Sequence, residues 1–87
     1  MPPPPDRPIA DLKNLGPTSS DWLRAVGIET YGDLEAAGAV EAYQRVVAAG
    51  FRASRNLLYA MQASLLGLHW SELPDEEKAR LNAEIRG

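Results

Sequence analysis

The side chains best suited to binding chemistry are concentrated near the start of the chain, between residues 12 and 20. Lys13 supplies an ammonium group, Asn14 an amide, and Thr18 and Ser19 hydroxyls, around a turn that contains Gly16. A short apolar run, a tight turn and a hydroxyl-rich helix start are typical of a helix-hairpin-helix unit. Backbone N–H groups at such a helix start can bind a phosphate, to which a lysine adds charge. This segment is therefore either a phosphate site or a scaffold that joins two helices.

The residues of this turn also predict its geometry. Asn14 and Gly16 are residue types that tolerate left-handed backbone conformations. Thr18, followed by Asp21, resembles a capping box at the start of a helix. However, Asn14 stands where the hairpin motif usually has its first glycine, and the carboxylate of Asp21 would repel a phosphate. The turn is therefore interpreted first as a scaffold and second as a binding edge.

A second candidate binding group consists of Arg45, Arg52 and Arg55. No acidic residue lies between Glu41 and Glu72, so the middle of the chain is locally basic. The whole chain has 9 basic and 12 acidic residues, a net charge of −3. This total counts against strong DNA binding, which usually needs a basic excess to neutralise phosphates. The arginines could form a patch for phosphates or for an acidic partner, or they could be ordinary solvated charges.

No combination of residues indicates catalysis or metal binding. The chain has no cysteine, which excludes disulfides and thiolate metal sites. Its single histidine, His69, has Ser71 and Glu72 only as sequence neighbours. We therefore interpret His69 as a packing or surface-capping residue beside Trp70 rather than a general base. The chain is expected to be non-enzymatic and to bind no cofactor.

Length and composition suit one small domain. The chain has 87 residues, of which 45% are hydrophobic, enough for a single core. The run Pro2–Pro5 favours an extended polyproline conformation, so residues 1–8 are predicted to be a disordered proline-rich arm and residues 9–87 the folded domain. No signal peptide is expected, because the first residues lack a basic start followed by an apolar run, and no apolar run approaches the roughly 20 residues of a membrane span. A soluble cytoplasmic protein is expected.

Hydrophobic periodicity predicts an all-α protein, a compact bundle of five or six short helices. Ser54 and Thr30 are expected to cap helices, and Gly27 to end one in a left-handed conformation. The helix over residues 55–66 has the broadest apolar stripe and should be central. The pattern places helices at residues 9–13, 19–26, 31–38, 39–49 and 55–66, with a last helix starting at residue 74.

The aromatic side chains are expected to contribute to the core. Trp22 and Trp70 both fall within the apolar pattern, and Phe51 follows a helix-ending glycine in a connecting loop. Either tryptophan could instead be an exposed interaction residue. Their positions in the pattern favour burial.

Several ordered motifs resemble the C-terminal domain of the TfoX (Sxy) family of competence regulators. The resemblance extends from about Ile9 to Pro74 and includes the turn over residues 14–17. Further similar segments are Gly27-Ile28, Asp33-Leu34, Gly38 to Tyr43, Asn56 to Ala60, and His69-Trp70. The first half is also similar to the helix-hairpin-helix region in the C-terminal domain of the α chain of RNA polymerase.

This resemblance implies a five-helix fold related to helix-hairpin-helix and SAM-like domains, and a link to the regulation of DNA-uptake genes. It implies no catalytic residues. Our hypothesis is an interaction module that acts with a protein partner, such as the transcription machinery. The alternative is weak direct DNA binding, and a dimer formed through the last helix is compatible with both. The predicted binding surface comprises Lys13, Asn14, Gly16, Thr18, Ser19, Arg45, Arg52 and Arg55.

Overall fold

The computed structural model describes residues 4–12 and 14–86, with the side chain of residue 86 excluded. Over these residues the protein is all-α, as predicted, with α-helices and two single turns of 3₁₀ helix. The α-helices are α1 (Pro17–Ala25), α2 (Tyr31–Ala37), α3 (Ala39–Ala48), α4 (Arg55–Leu66) and α5 (Asp75–Arg86). The 3₁₀ turns are η1 (Ile9–Asp11) and η2 (Trp70–Glu72).

The core is built around α4, which packs against α2, α3 and η2. Leu58 and Met61 on this helix are completely buried, and Ala63 lies beside them. The broad apolar stripe therefore does mark the central helix. None of the helices in the described part of the chain is long and apolar enough to cross a membrane.

The residues just before η1 lie against the start of α2. The Gly32 N–H donates to Pro5 O (2.8 Å) and the Tyr31 N–H to Arg7 O (2.9 Å). A Cβ atom at Gly32 would lie 2.9 Å from Pro5 O, so only glycine fits this close approach. Residues 4–8 of the predicted proline-rich arm thus bond to the domain, whereas residues 1–3 lie outside the described residues.

The helix starts divide into those capped by a side chain and those that are not. At α2 the predicted cap is confirmed: the Asp33 N–H donates to Thr30 Oγ1 (3.1 Å), and the Thr30 N–H donates to Asp33 Oδ2 (3.2 Å). At α1 the predicted Thr18–Asp21 capping box is wrong. Proline is favoured at the first helical position, so α1 begins at Pro17, before the hydroxyl cluster.

Two further expectations, one about a helix cap and one about left-handed residues, need correction. Ser54 occupies the N-cap position of α4 but makes no side-chain capping hydrogen bond. Gly16 has φ −85° and ψ 177°, an extended conformation. Over the described residues positive φ occurs only at glycines, which excludes a left-handed Asn14. The predicted left-handed end after α1 is confirmed, since Gly27 has φ 87°.

The aromatic residues separate into a half-buried pair and an exposed ring. Trp22 stacks on Phe51, with ring centroids 5.5 Å apart and planes 18° apart, and both rings pack against the core. The predicted burial of Trp70 is wrong, because this side chain is 54% exposed. Leu73, at the end of η2, is buried instead.

The last helix is joined to α4 by polar contacts. The Gln62 amide donates to Glu77 (3.2 Å), and the Asn82 amide donates to the Tyr59 hydroxyl (2.8 Å). Leu81 is buried beneath these contacts. The amphipathic α5 is therefore docked on the domain through both polar and apolar groups.

The Thr30 cap provides a direct test of the helix starts. We expect Thr30→Ala to lower the free energy of unfolding by about 1 kcal/mol, because it removes the acceptor for the Asp33 N–H. Ser54→Ala is the matched control at a helix start without a side-chain cap, and its effect should stay within about 0.5 kcal/mol. Urea unfolding of both variants measures this difference. Equal losses would contradict the assignment of the caps.

The contacts of Glu77 predict a dependence on pH. Hydrogen bonds from Arg80, and then from Gln62, hold the pKa of Glu77 below its ordinary value of 4.5. Their stabilisation is therefore present above that value and is lost as pH falls through the lower folded-state pKa. We expect Arg80→Gln to raise the pKa of Glu77 in an NMR titration of its carboxyl carbon. Arg24→Gln, which removes a cation paired with Asp21, should leave it unchanged.

Candidate functional site

An open groove of about 440 Å³ lies between the start of α1, the start of α4 and η2. We call it the aromatic groove, because three aromatic side chains contribute to its walls. Its lining residues are Asn14, Thr18, Ser19, Trp22, Arg52, Ser54, Asn56, Leu57, Tyr59, Ala60, Trp70 and Lys78.

The position of the first turn relative to α4 and η2 is fixed by the side chain of Asn14. Its amide nitrogen donates to Leu68 O (2.8 Å) and to Ser64 Oγ (3.3 Å). Its amide oxygen accepts from the Trp70 N–H (3.1 Å). An amide side chain is both donor and acceptor, so one residue can join the hairpin to α4, to the segment after it and to η2. The residue that replaces the usual glycine therefore has a structural function.

The hydroxyl cluster of α1 is divided between the core and the groove. Ser20 is buried, and its hydroxyl donates to Gly16 O (3.0 Å). Thr18 is exposed and Ser19 half-buried, and both line the groove. Gly16 immediately precedes α1 as its N-cap residue and is not among the lining residues. The hairpin thus presents two hydroxyls to the groove.

The three arginines of the predicted surface do not form one patch. Arg52 lines the aromatic groove, whereas Arg45 pairs with Glu41 (2.8 Å) and borders a separate shallow depression beside Gly27. Arg55 is directed to α5, where it donates to the side chain of Asn82. The structure therefore brings together Asn14, Thr18, Ser19 and Arg52 from the predicted surface; Lys13 lies outside the described residues.

Sequence reasoning missed the opposite wall of the groove. The Lys78 ammonium lies 5.5 Å from the centre of the Tyr59 ring, a cation–π arrangement between α5 and α4. Trp70 completes this wall from η2. In the sequence, Tyr59 stands at the edge of the apolar stripe of α4, and its polar hydroxyl only weakly indicates a surface position. Pairing of Tyr59 with Lys78 depends on the docking of α5, which no local pattern specifies.

The groove is electrostatically positive although the chain is acidic. The described residues that line it include Arg52 and Lys78 but no aspartate or glutamate. The starts of α1 and α4, which also border it, have no side-chain cap. The N–H groups at an uncapped helix start carry partial positive charge. The groove can therefore attract an anionic group while its aromatic walls contact apolar surface.

His69 has the capping role expected from the sequence. Its Nδ1 accepts from the Ser71 N–H (3.2 Å), and its own N–H donates to Glu72 Oε1 (2.8 Å). The ring lies beside Trp70, with centroids 5.5 Å apart. Within residues 4–12 and 14–86, no three histidine, aspartate or glutamate side chains are grouped to hold a metal ion.

Comparison with known proteins identifies one family. The protein-family model of the TfoX C-terminal domain matches residues 5–85 of this chain. A crystal structure of an uncharacterized protein from Listeria monocytogenes, in a triclinic form, has a TM-score of 0.80 and 27% identity, and the match covers 86% of this chain and 85% of that one. A crystal structure of a Listeria monocytogenes protein of unknown function, in a tetragonal form, has the same TM-score and identity. This match covers 86% of this chain and 93% of that one. No curated protein matches the chain.

The Asn14 side chain is the best test of how the groove is held together. We expect Asn14→Ala to lower the free energy of unfolding by about 2 kcal/mol, because three hydrogen bonds lose their partner. Asn14→Gly should be at least as destabilising, since the position is not left-handed. Urea unfolding and hydrogen exchange at the Trp70 amide measure both effects.

The control for this prediction is Asn56→Ala, an exposed asparagine of the same groove. Its effect on stability should stay within about 0.5 kcal/mol. An Asn14→Gly variant as stable as the original chain would contradict the prediction. The backbone of the turn, rather than its amide side chain, would then determine the geometry.

Proposed function

The chain belongs to the TfoX C-terminal domain family, and we propose that it is a non-enzymatic module that binds a protein partner through the aromatic groove. The partner belongs to the transcription machinery, and the interaction regulates transcription of genes such as those for competence. The observation that carries this proposal is the groove itself, a concave aromatic surface with exposed Trp70 on one wall.

The dimensions and residue types of the groove favour a protein partner. Ligand pockets in proteins commonly have volumes of about 300–1,000 Å³, and the groove, at about 440 Å³, can hold a few side chains. Tryptophan, tyrosine and arginine dominate the binding energy of protein interfaces. Trp70, Tyr59 and Arg52 supply all three types here. A peptide segment with projecting side chains fits such a concave surface.

The bonding of the polar groups supports binding rather than catalysis. Both ends of the Asn14 amide are used in structural hydrogen bonds. The Nδ1 atom of His69 accepts from the Ser71 N–H and contacts its hydroxyl, so it is engaged in capping η2. A general base needs a proton acceptor directed at the reacting group. These polar groups hold the walls of the groove in place instead.

Direct duplex binding is the second candidate function. It is favoured by the uncapped start of α1, whose hydroxyls border the same groove as Arg52. A phosphate could be held by the N–H groups at that helix start. The net charge of −3 and the dispersal of Arg45 and Arg55 away from the groove argue for the protein partner. A homodimer through α5 is compatible with either function.

An NMR titration separates these two functions. The ¹⁵N-labelled chain is titrated with RNA polymerase subunits and, separately, with a short DNA duplex at low salt. We expect a polymerase subunit to shift the backbone amides of Thr18, Ser19 and Asn56, and the duplex to leave them unchanged. Shifts produced by the duplex alone, and diminishing steeply with added salt, would replace the protein partner with DNA.

Trp70 is expected to dominate the binding energy. Trp70→Ala should weaken partner binding by at least about tenfold, since a tryptophan in an interface commonly contributes about 2 kcal/mol or more. The matched control is Leu66→Ala, because Leu66 is 48% exposed, similar to Trp70, but does not line the groove. Calorimetric titration of both variants gives the comparison. Equal losses of affinity would mean that the binding surface lies elsewhere.

A further inference from the structure

We infer that the aromatic groove recognises an acidic peptide segment, with a carboxylate side chain bound by Arg52 and Lys78 and an adjacent apolar side chain packed on Trp70. This inference rests on the proposed function, because it specifies the chemistry of the partner segment that the groove binds. It follows from the contrast between the charge of the groove and the charge of the chain.

Arg52 differs from three other arginines of the chain, each of which has a carboxylate beside it. Arg24, Arg45 and Arg80 each pair with a carboxylate on their own helix. Within the described residues, Arg52 has no such ion pair, and it is exposed at the groove. A guanidinium group in this position can bind a carboxylate through two parallel hydrogen bonds. The partner therefore supplies the carboxylate that the chain does not.

Lys78 places a second cation in the lining of the groove. Its ammonium group lies over the Tyr59 ring, and the residue is half-buried, which restricts its range of positions. The contact with the ring uses no acceptor, so the three N–H groups of the ammonium remain donors. A carboxylate entering the groove can accept from Lys78 without displacing it from Tyr59. Two cations in the lining of one groove favour an anionic segment as its occupant.

The two helix starts add to the field of these cations. Neither α1 nor α4 has a side-chain cap, and Thr18, Ser19 and Asn56 in their first turns line the groove. An anion near a helix start is favoured by the partial positive charge of the free N–H groups. This contribution is secondary to the two side-chain cations, because it is spread over backbone groups and falls off with distance.

The aromatic side chains of the groove determine which type of residue lies next to the carboxylate in the bound segment. Trp70 is more than half exposed, and Trp22 is held in place by its stack on Phe51. Rigid aromatic surface is best used by an apolar side chain, because contact removes both from water. A segment of carboxylates alone would leave this aromatic part of the walls uncovered. A segment in which a leucine or aromatic residue stands next to the carboxylate matches both the cations and the aromatic surface of the groove.

The same charges disfavour a second copy of the chain as the occupant. Two grooves placed face to face would bring Arg52 and Lys78 of one copy against the same cations of the other. The acidic start of α5, at residues 75–77, could supply carboxylates in a different arrangement. Such an arrangement predicts self-association of the chain alone, which sedimentation experiments detect.

The test uses the whole chain and a synthetic peptide in which glutamates flank two leucines. The matched peptide has glutamine in place of every glutamate. We expect the glutamate peptide to shift the amides of Ser19 and Asn56 and to change tryptophan fluorescence, and the glutamine peptide to bind at least about tenfold more weakly. Arg52→Gln should weaken binding of the glutamate peptide by a similar factor. Arg45→Gln, which removes an arginine remote from the groove, should leave it unchanged.

Four results bear against the inference. Equal affinity of both peptides would show that the charge of the segment is irrelevant. Unchanged affinity in Arg52→Gln would place the carboxylate elsewhere. Self-association in sedimentation experiments, abolished by Arg52→Gln, would assign the groove to a second copy. A polymerase subunit that shifts the groove amides while the glutamate peptide does not would reject this chemistry and leave the proposed function intact.

Discussion

The arrangement of the groove depends on the hydrogen bonds of a single amide side chain. Asn14 lies in the first turn, yet its partners are Ser64, Leu68 and Trp70, between 50 and 56 positions further along the chain. These bonds fix the distance between the start of α1 and η2. With these bonds in place, Thr18 and Trp70 line the same groove. The helix-hairpin-helix turn therefore has a tertiary function in this chain, beyond its local geometry.

The same interaction explains why asparagine replaces the glycine that is usual in such hairpins. Glycine is needed where a backbone must be left-handed or where another chain segment approaches closely. Neither condition holds at Asn14, since the positive φ angles of the described residues belong to the helix-ending glycines and position 14 accommodates a whole amide side chain. An amide that donates to Leu68 O and accepts from the Trp70 N–H does what glycine cannot. The interpretation of the turn as a scaffold before a binding edge agrees with these bonds.

The correct predictions were local ones, although the predicted local caps at Thr18 and Ser54 were wrong, and the long-range contacts could not be predicted. The helix over residues 55–66 and the Thr30–Asp33 capping box depend on neighbours in the chain, and both were predicted correctly. The backbone of Trp70 bonds to a residue 56 positions away, a contact that its apolar sequence context does not indicate, and its predicted burial was wrong. The separation of the arginines is similar, because Arg55 is directed by Asn82 on another helix. The α1 side of the groove could therefore be assigned from sequence, and the α5 and η2 walls could not.

Because Trp70 is exposed, its side chain can contribute to binding while contributing little to the stability of the fold. The ring contributes little to the core, because Leu73 occupies the buried position at the end of η2. Its backbone is held by Asn14, and its neighbour His69 caps the turn, so the geometry of η2 does not depend on burial of the indole. A large apolar side chain left exposed on a rigid turn gains free energy only when another surface covers it. Hydrogen bonds of the backbone and of the η2 cap thus hold the indole in an accessible position, whether or not the groove is occupied.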